Sequence, residues 1–276
     1  MSVLGHGQAR KLDSRLECPV HYQWRLGAAN IDLNPWVGST LHLRFTGNIF
    51  CIHCGKLTAK SFNQGYCYRC FQTLAQCDTC VMSPELCHHA AGTCREPVWG
   101  DHFCMQDHIV YFANSSGLKV GITRASQVPA RWIDQGATQA LAVLRVRSRQ
   151  AAGFAEALFR QHVTDRTNWR HMLRGEQQVL DLCAERDHLL HECARELDDL
   201  RQRFGVHAFS VINGVDPVDI HYPVTRYPTT PTALDFDKTP DISGVLHGIK
   251  GQYLILDQGV LNIRKYTGYE LELRGA

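Results

Sequence analysis

The period of the apolar positions changes repeatedly along the chain, and each change predicts a different kind of element. Between residues 20 and 50, VHYQWRLGAANIDLNPWVGSTLHLRFTGNIF, runs rich in β-branched and aromatic residues such as LHLRF are broken by Gly, Asn and Pro, which predicts two or three strands. Residues 51–107 lack a periodic apolar face and are dense in Cys, His and Gly, so this segment needs crosslinks or metal to fold. From residue 108 the pattern predicts strands over 109–113 and 118–123, a helix from Pro129, a strand over 140–147 and a helix over 151–163. Proline suits the first helical turn because its missing N–H has no partner there anyway.

Apolar residues at 179, 182, 183, 189, 190, 193, 197, 200 and 204 then follow helical spacing, which predicts one long amphipathic helix over 175–204. The Pro- and Thr-rich stretch that follows reads as an extended connection. The tail LHGIKGQYLILDQGVLNIRKYTGYELEL reads as a β-meander of three runs separated by DQG and TG turns. Neither β-rich end is large enough alone for a closed sheet, so the two are expected to pair in one sheet or barrel. The expected class is α+β. Its parts are an N-terminal β segment (1–50), a zinc-ribbon-like cysteine-rich module (51–107), a mixed α/β domain (108–174), the helix (175–204), and a linker with the C-terminal meander (205–276).

Composition narrows this little: of 276 residues 44% are hydrophobic and 20% charged, an ordinary globular balance. The first twenty residues carry no apolar run of the signal-peptide kind and no eighteen apolar residues occur in succession, so a cytoplasmic protein with no membrane partner is expected. Nothing in the pattern specifies an oligomeric state. A net charge of +2 conceals an uneven distribution. Residues 119–174 hold ten Lys or Arg against three acids, whereas 175–203 hold four against eight. A basic middle region, suited to phosphates, abuts an acidic helix.

Nine of the twelve cysteines fall between 51 and 104, several in C-x-x-C pairs, which favours metal over a disulfide scaffold. Cys51, Cys54, Cys67 and Cys70 form two knuckles twelve residues apart that can converge on one tetrahedral ion. Four thiolates leave no position for water or substrate, so the expected role is structural, with zinc preferred over an iron–sulfur centre. A second zinc is expected from the set that follows. The expected ligands are Cys77, Cys80, Cys87 and Cys94, with Cys104 and His108 as exchanges or parts of a third site. Cys18, Cys183 and Cys193 read as small hydrophobes.

Tyr111, Lys119-Val-Gly-Ile-Thr123, Arg131 and Glu156 carry a resemblance. I-V-Y, a short turn, K-V-G, an arginine on the next helix and a glutamate on a later one are similar to the GIY-YIG nuclease domain, in its variants that read K-I-G, over about 108–170. Over nearly the whole chain QGYCYRC, CDTC, GTCREPVWG, LKVGITR, RWIDQGA, TNWR and GIKGQYLILD resemble an uncharacterised prokaryotic family, domain of unknown function 2797, which brings no assigned activity. The nuclease resemblance implies that Tyr111 helps deprotonate the attacking water and Arg131 steadies the phosphate. It also implies that Glu156 holds magnesium or manganese, with Lys119 positioning water or favouring tyrosinate. Ile109 replaces the first glycine of that motif and Lys119 its second tyrosine.

The expected function is therefore a zinc-containing DNA- or RNA-binding protein, with divalent-metal-dependent phosphodiester hydrolysis as its candidate activity. A noncatalytic nucleic-acid-binding module and a zinc-ribbon protein–protein adaptor are the competing expectations.

Overall fold

The computed structural model describes residues 2–276. The chain opens with β1 (Ser2–Arg15), β2 (His21–Leu26), β3 (Ala29–Asp32) and β4 (Thr40–Ile49). It passes through a loop-rich segment that holds only α1 (Tyr68–Thr73), α2 (Pro97–Phe103) and short 3-10 turns. Next come β5 (His108–Asn114), β6 (Leu118–Arg124), α3 (Ala130–Asp134), β7 (Gln139–Val146), α4 (Arg149–Phe159) and α5 (Trp169–Met172). Helices α6 (Leu182–Glu192) and α7 (Ala194–Phe204) lead to the short strands β8 (Phe209–Val211) and β9 (Val218–Asp219). The chain closes with β10 (Asp241–Lys250), β11 (Tyr253–Leu256), β12 (Gly259–Asn262) and β13 (Tyr269–Gly275).

Both ends of the chain meet in one eight-stranded sheet, ordered β12-β11-β10-β4-β13-β1-β2-β3. The tail is a meander only through β12; β13 crosses over and inserts between β4 and β1. The long strand β1 falls within the β segment expected over 1–50, but the sequence assigned no strand before residue 20, and the burial of β1 explains why. Its buried positions are Gly5, Ala9 and Leu12 rather than every second residue, because the register shifts between Val3 and Gly5 and again between Ala9 and Leu12. Each bulge inserts an unpaired residue and erases the period-two signal.

The second sheet, β6-β5-β7-β8 with β9 also on β7, is antiparallel throughout and leaves β6 at its edge. Its two faces bury different cores. Ile109, Tyr111 and Ala113 face the large sheet and pack in one cluster with Trp24, Leu41, Leu271 and α3 residues Trp132 and Ile133. Val110, Phe112 and Val120 face the other way, against Ala152, Ala155 and Phe159 of α4 and the apolar stripe of α6 and α7. Each such fully buried large side chain contributes about 1.5–3 kcal/mol, so this alternation pins the register of the hairpin.

Residues 175–204 do not form one helix. Two buried polar side chains take backbone groups of the first turn expected there, Asn114 Nδ2 donating to Gln178 O (2.6 Å) and Gln139 Oε1 accepting from Leu180 N (2.9 Å), while Lys250 Nζ holds the Gln177 side chain at its Oε1 (2.8 Å). Helix α6 starts only at the Asp181 cap, whose carboxylate accepts from Ala184 N, and non-helical Cys193 separates it from α7. No helix among the described residues is long and apolar enough to cross a membrane.

Candidate metal centres and active-site cleft

The Sγ atoms of Cys51, Cys54, Cys67 and Cys70 lie within 4.8 Å of one another. Cys54 and Cys67 sulfurs are 3.8 Å apart, the edge of a tetrahedron of thiolates about 2.3 Å from a central zinc. Burial opposes the Cys51 thiolate, but the backbone amides of Cys54, Cys67 and His53 point at the sulfur and bring its pKa down to about 6. These donors fit a closed zinc site.

The residues expected at a second site are divided between two places. Cys77 packs with Cys51, Cys70 and Leu74 beside the first site and does not line the second cavity. That cavity, about 10 Å³ and so about one water-sized sphere, is lined by Cys80, Cys87, Cys94 and Cys104, with His88 and His89 beside them. Asp78, Cys80 and His88 also present ligand atoms within 4.8 Å of one another, but the Asp78 carboxylate is already paired with Arg95 at 2.8 Å. Cys104 thus lines this cavity with Cys80, Cys87 and Cys94 in the place of Cys77, one of the exchanges the sequence left open, while Asp78, Cys80 and His88 are the ligand atoms that lie close together there among the described residues. His108 lies outside both groups: it is buried in β5, its Nδ1 contacts Gln106 O at 2.8 Å, and its Nε2 has no partner. Burial pushes its pKa down to about 4, so it is a neutral ring in the fold.

The second module is tied to the N-terminus of α4. Arg149 N donates to Cys104 O (2.8 Å), its guanidinium to Val81 O (2.5 Å), and Gln150 Nε2 to Cys87 O (2.7 Å). Gly153 permits the approach, since a Cβ there would sit 2.6 Å from the Pro84 Cβ. Glu156 lies three residues further along the same helix.

A cleft of about 150 Å³ runs along the outer edge of β6, over Val120 and Gly121, beside the point where Val120 N donates to Thr164 O at 2.9 Å. Helix α3 and the residue capping it supply Arg131 and Gln135 from one side, α4 and its capping residue supply Arg149, Glu156 and Arg160 from the other, and Met82 and Pro84 of the cysteine module form the far wall. Helix α3 is fixed by buried Gln252, which exchanges bonds with both backbone groups of Leu12 and donates to Asp134 Oδ1 at 2.8 Å.

Arg131 and Glu156 thus line one cleft, whereas Tyr111 and Lys119 lie beneath its floor, 0% and 3% exposed. The Tyr111 hydroxyl donates to Gln135 Oε1 at 2.7 Å and lies beside the Arg131 guanidinium, and both of these residues line the cleft. Burial pushes its pKa up to about 12 although Arg131 pulls the other way, so the side chain is a neutral phenol. Lys119 Nζ donates to Thr167 Oγ1 at 3.2 Å, and burial, assisted by Arg131, pulls its pKa down to about 8. Glu156 has no ion-pair partner among the described residues, and burial raises its pKa while Arg160 and Arg149 oppose the rise. Asp165, the other carboxylate in the cleft, is paired with Arg160 at 3.2 Å. Glu156 can thus offer one hard oxygen to a hydrated cation, although no group of three ligand residues among the described residues includes it and arginines line the recess it faces.

Gln135, Arg149 and Arg160 complete the cleft and were not singled out as site residues from sequence. An i, i+4 pairing of Glu156 with Arg160 would have pointed to a surface ion pair instead. A family model described as a protein of unknown function (DUF2797) matches residues 38–271. No curated protein and no solved structure matches the chain.

Proposed function

The chain belongs to the DUF2797 family, and from that premise and the cleft we propose that it is a zinc-containing nucleic-acid-binding protein that hydrolyses a phosphodiester at the edge of β6. The observation that carries this reading is the convergence of Arg131, Arg149 and Arg160 with an unpaired Glu156 over buried Lys119. Hydrolysis requires neutralisation of the nonbridging oxygens, a nucleophile, and help for the leaving oxygen.

The guanidiniums supply planar, permanently charged donors for a phosphate. Glu156 would hold magnesium or manganese, which when bound supplies charge neutralisation and an acidified water. Lys119, drawn down to about 8 by burial, is the group matched to accept a proton near neutral pH. The phenol of Tyr111, at about 12, is a poor base and instead orients Gln135. Zinc in the two cysteine groups is structural in this reading: one set closes the 51–70 knuckles and the other holds the cleft wall against α4.

The depth of Tyr111 and Lys119 favours one alternative, a noncatalytic module that binds nucleic acid through the same arginines. One experiment separates the two. Zinc-loaded protein with magnesium or manganese should cleave single- or double-stranded DNA or RNA, and Glu156→Ala should abolish cleavage while zinc content and folding are retained. Cleavage that persists in Glu156→Ala removes the proposed site, and binding without cleavage under any of these conditions selects the noncatalytic module.

A further inference from the structure

A second recess, about 570 Å³, opens from the cleft: Val81, Met82 and Arg131 line both. Three parts of the chain remote in sequence build it, namely β1 with Arg10 and Lys11, the tip between the two cysteine knuckles with Gln64 and Tyr66, and the 3-10 turn after β12 with Arg264. Arg10, Lys11, Arg131 and Arg264 line it and no carboxylate does. Asp134 lies behind this surface, committed to Lys11 at 2.7 Å. Burial lowers the pKa of Arg264, and the neighbouring charge of Arg131 lowers it further. Like charges gathered in a partly desolvated recess repel, and an anionic ligand relieves that repulsion.

The tip is also shaped for contact. Asn63 and Gln64 are consecutive non-glycine residues with φ of 42° and 61°, in the left-handed region where side chains are strained. Arg264 Nε donates to Gln64 Oε1 at 2.6 Å, which fixes the guanidinium and leaves its remaining donors for a ligand. Half-buried Tyr66 adds an aromatic ring beside these charges.

We infer that this recess binds a single-stranded segment of the nucleic acid, with phosphates on Arg10, Arg264 and Arg131 and a base stacked on Tyr66, and leads it into the cleft. Single strands expose base faces and fit such basic, aromatic-lined channels, whereas a duplex keeps its bases stacked and presents its phosphates on a broad convex surface. The inference rests on the reading of the cleft as a nucleic-acid site and specifies the form of its ligand.

The test is fluorescence anisotropy of labelled twelve-nucleotide oligo(dT), oligo(U) and a matched duplex on the zinc-loaded full chain, with hydrolysis of bis(p-nitrophenyl) phosphate, too short to enter the recess, measured alongside. Tyr66→Leu should weaken single-strand binding about tenfold, as expected for one stacked base. Three phosphate contacts give a slope of log affinity against log salt of about −2, and Arg10→Gln and Arg264→Gln should each reduce it by about 0.7. Small-diester hydrolysis should keep the wild-type kcat and KM in Tyr66→Leu and Arg10→Gln. Arg10→Gln, in a half-buried strand position, serves should Arg264→Gln fail to fold. Absence of oligonucleotide binding by the wild type, unchanged affinity in Tyr66→Leu and Arg10→Gln, or tighter binding of the duplex overturns the inference. If these variants lose affinity but no nucleic acid is ever cleaved, the activity fails and the recess stands. If Glu156→Gln abolishes cleavage while the recess variants alter neither affinity nor cleavage, the recess fails and the activity stands.

Discussion

Tyr111 and Gly121 face each other across the β5–β6 hairpin, and the Tyr111 ring lies over Gly121 so closely that a Cβ at 121 would sit 2.6 Å from the hydroxyl oxygen. Only glycine leaves room for the phenol to reach Gln135. Gly121→Ala should therefore destabilise the protein by about 1–3 kcal/mol, the usual cost of overpacking. In a Tyr111→Ala background the same change should cost much less, because the clash is gone. Additive costs in urea denaturation would show that the ring and the glycine are not coupled.

The 51–107 segment should depend on metal far more than on its apolar contacts. Only Cys51, Cys70, Leu74 and Cys77 form its buried cluster, whereas a structural zinc contributes about 10–16 kcal/mol in small domains, comparable with a whole domain's stability. A strong chelator, or Cys54→Ser, should release this segment to rapid proteolysis between 51 and 107 while the eight-stranded sheet keeps its circular dichroism signal. Unchanged proteolysis after zinc loss measured by mass spectrometry would contradict the assignment.

The second cysteine group should respond to changes on α4, a helix distant in sequence. Gly153→Val places methyl groups where Pro84 and the Glu85 amide already lie 2.6 and 2.8 Å from a Cβ. The helix and the module must separate, which strains the bonds of Arg149 and Gln150 to Val81, Cys87 and Cys104. Metal analysis should show loss of zinc from the Cys80, Cys87, Cys94 and Cys104 set with the Cys51 set retained. The reactivity of Cys80 and Cys104 toward alkylating reagents should rise accordingly.

Local pattern made the hairpin, α3, β7, α4 and the first cysteine cluster legible because each is written in residues close together. Alternation, a proline at a helix start and two knuckles suffice for that. What was illegible depended on distance. The bulges of β1 hid a fourteen-residue strand. The non-helical path of 175–181 is held by Asn114 and Gln139, which take its backbone groups from far along the chain. Cys77 carries the C-x-x-C signature with Cys80, yet the fold divides the pair between two clusters. At the cleft, sequence pointed to Arg131 and Glu156, but that Tyr111 and Lys119 lie under the floor follows from which face of the sheet they occupy, and no motif records it.

Lys119 makes the pH dependence testable in sign as well as size. Its pKa falls from 10.5 in the exposed side chain to about 8 in the fold, so below about 8 both states hold the proton and the full penalty of burying the charge is present. Above about 8 the folded state sheds a proton that the unfolded chain keeps until 10.5, so unfolding takes up a proton and stability rises with pH across that window. At 1.36 kcal/mol per unit the gain approaches about 3 kcal/mol, an upper figure for a side chain held by one hydroxyl. Lys250, buried and also lowered to about 8, contributes in the same direction. The difference between wild type and Lys119→Met, measured by urea denaturation from pH 7 to 10, removes that common background. Wild type should gain stability on the variant's curve as pH rises. If Lys119 also accepts the proton in hydrolysis, the rate of the wild type should climb through about pH 8 and level off, and Lys119→Met should lose that inflection. Parallel stability curves would place the Lys119 ammonium in contact with solvent or a counter-ion and remove the basis for its role as a base.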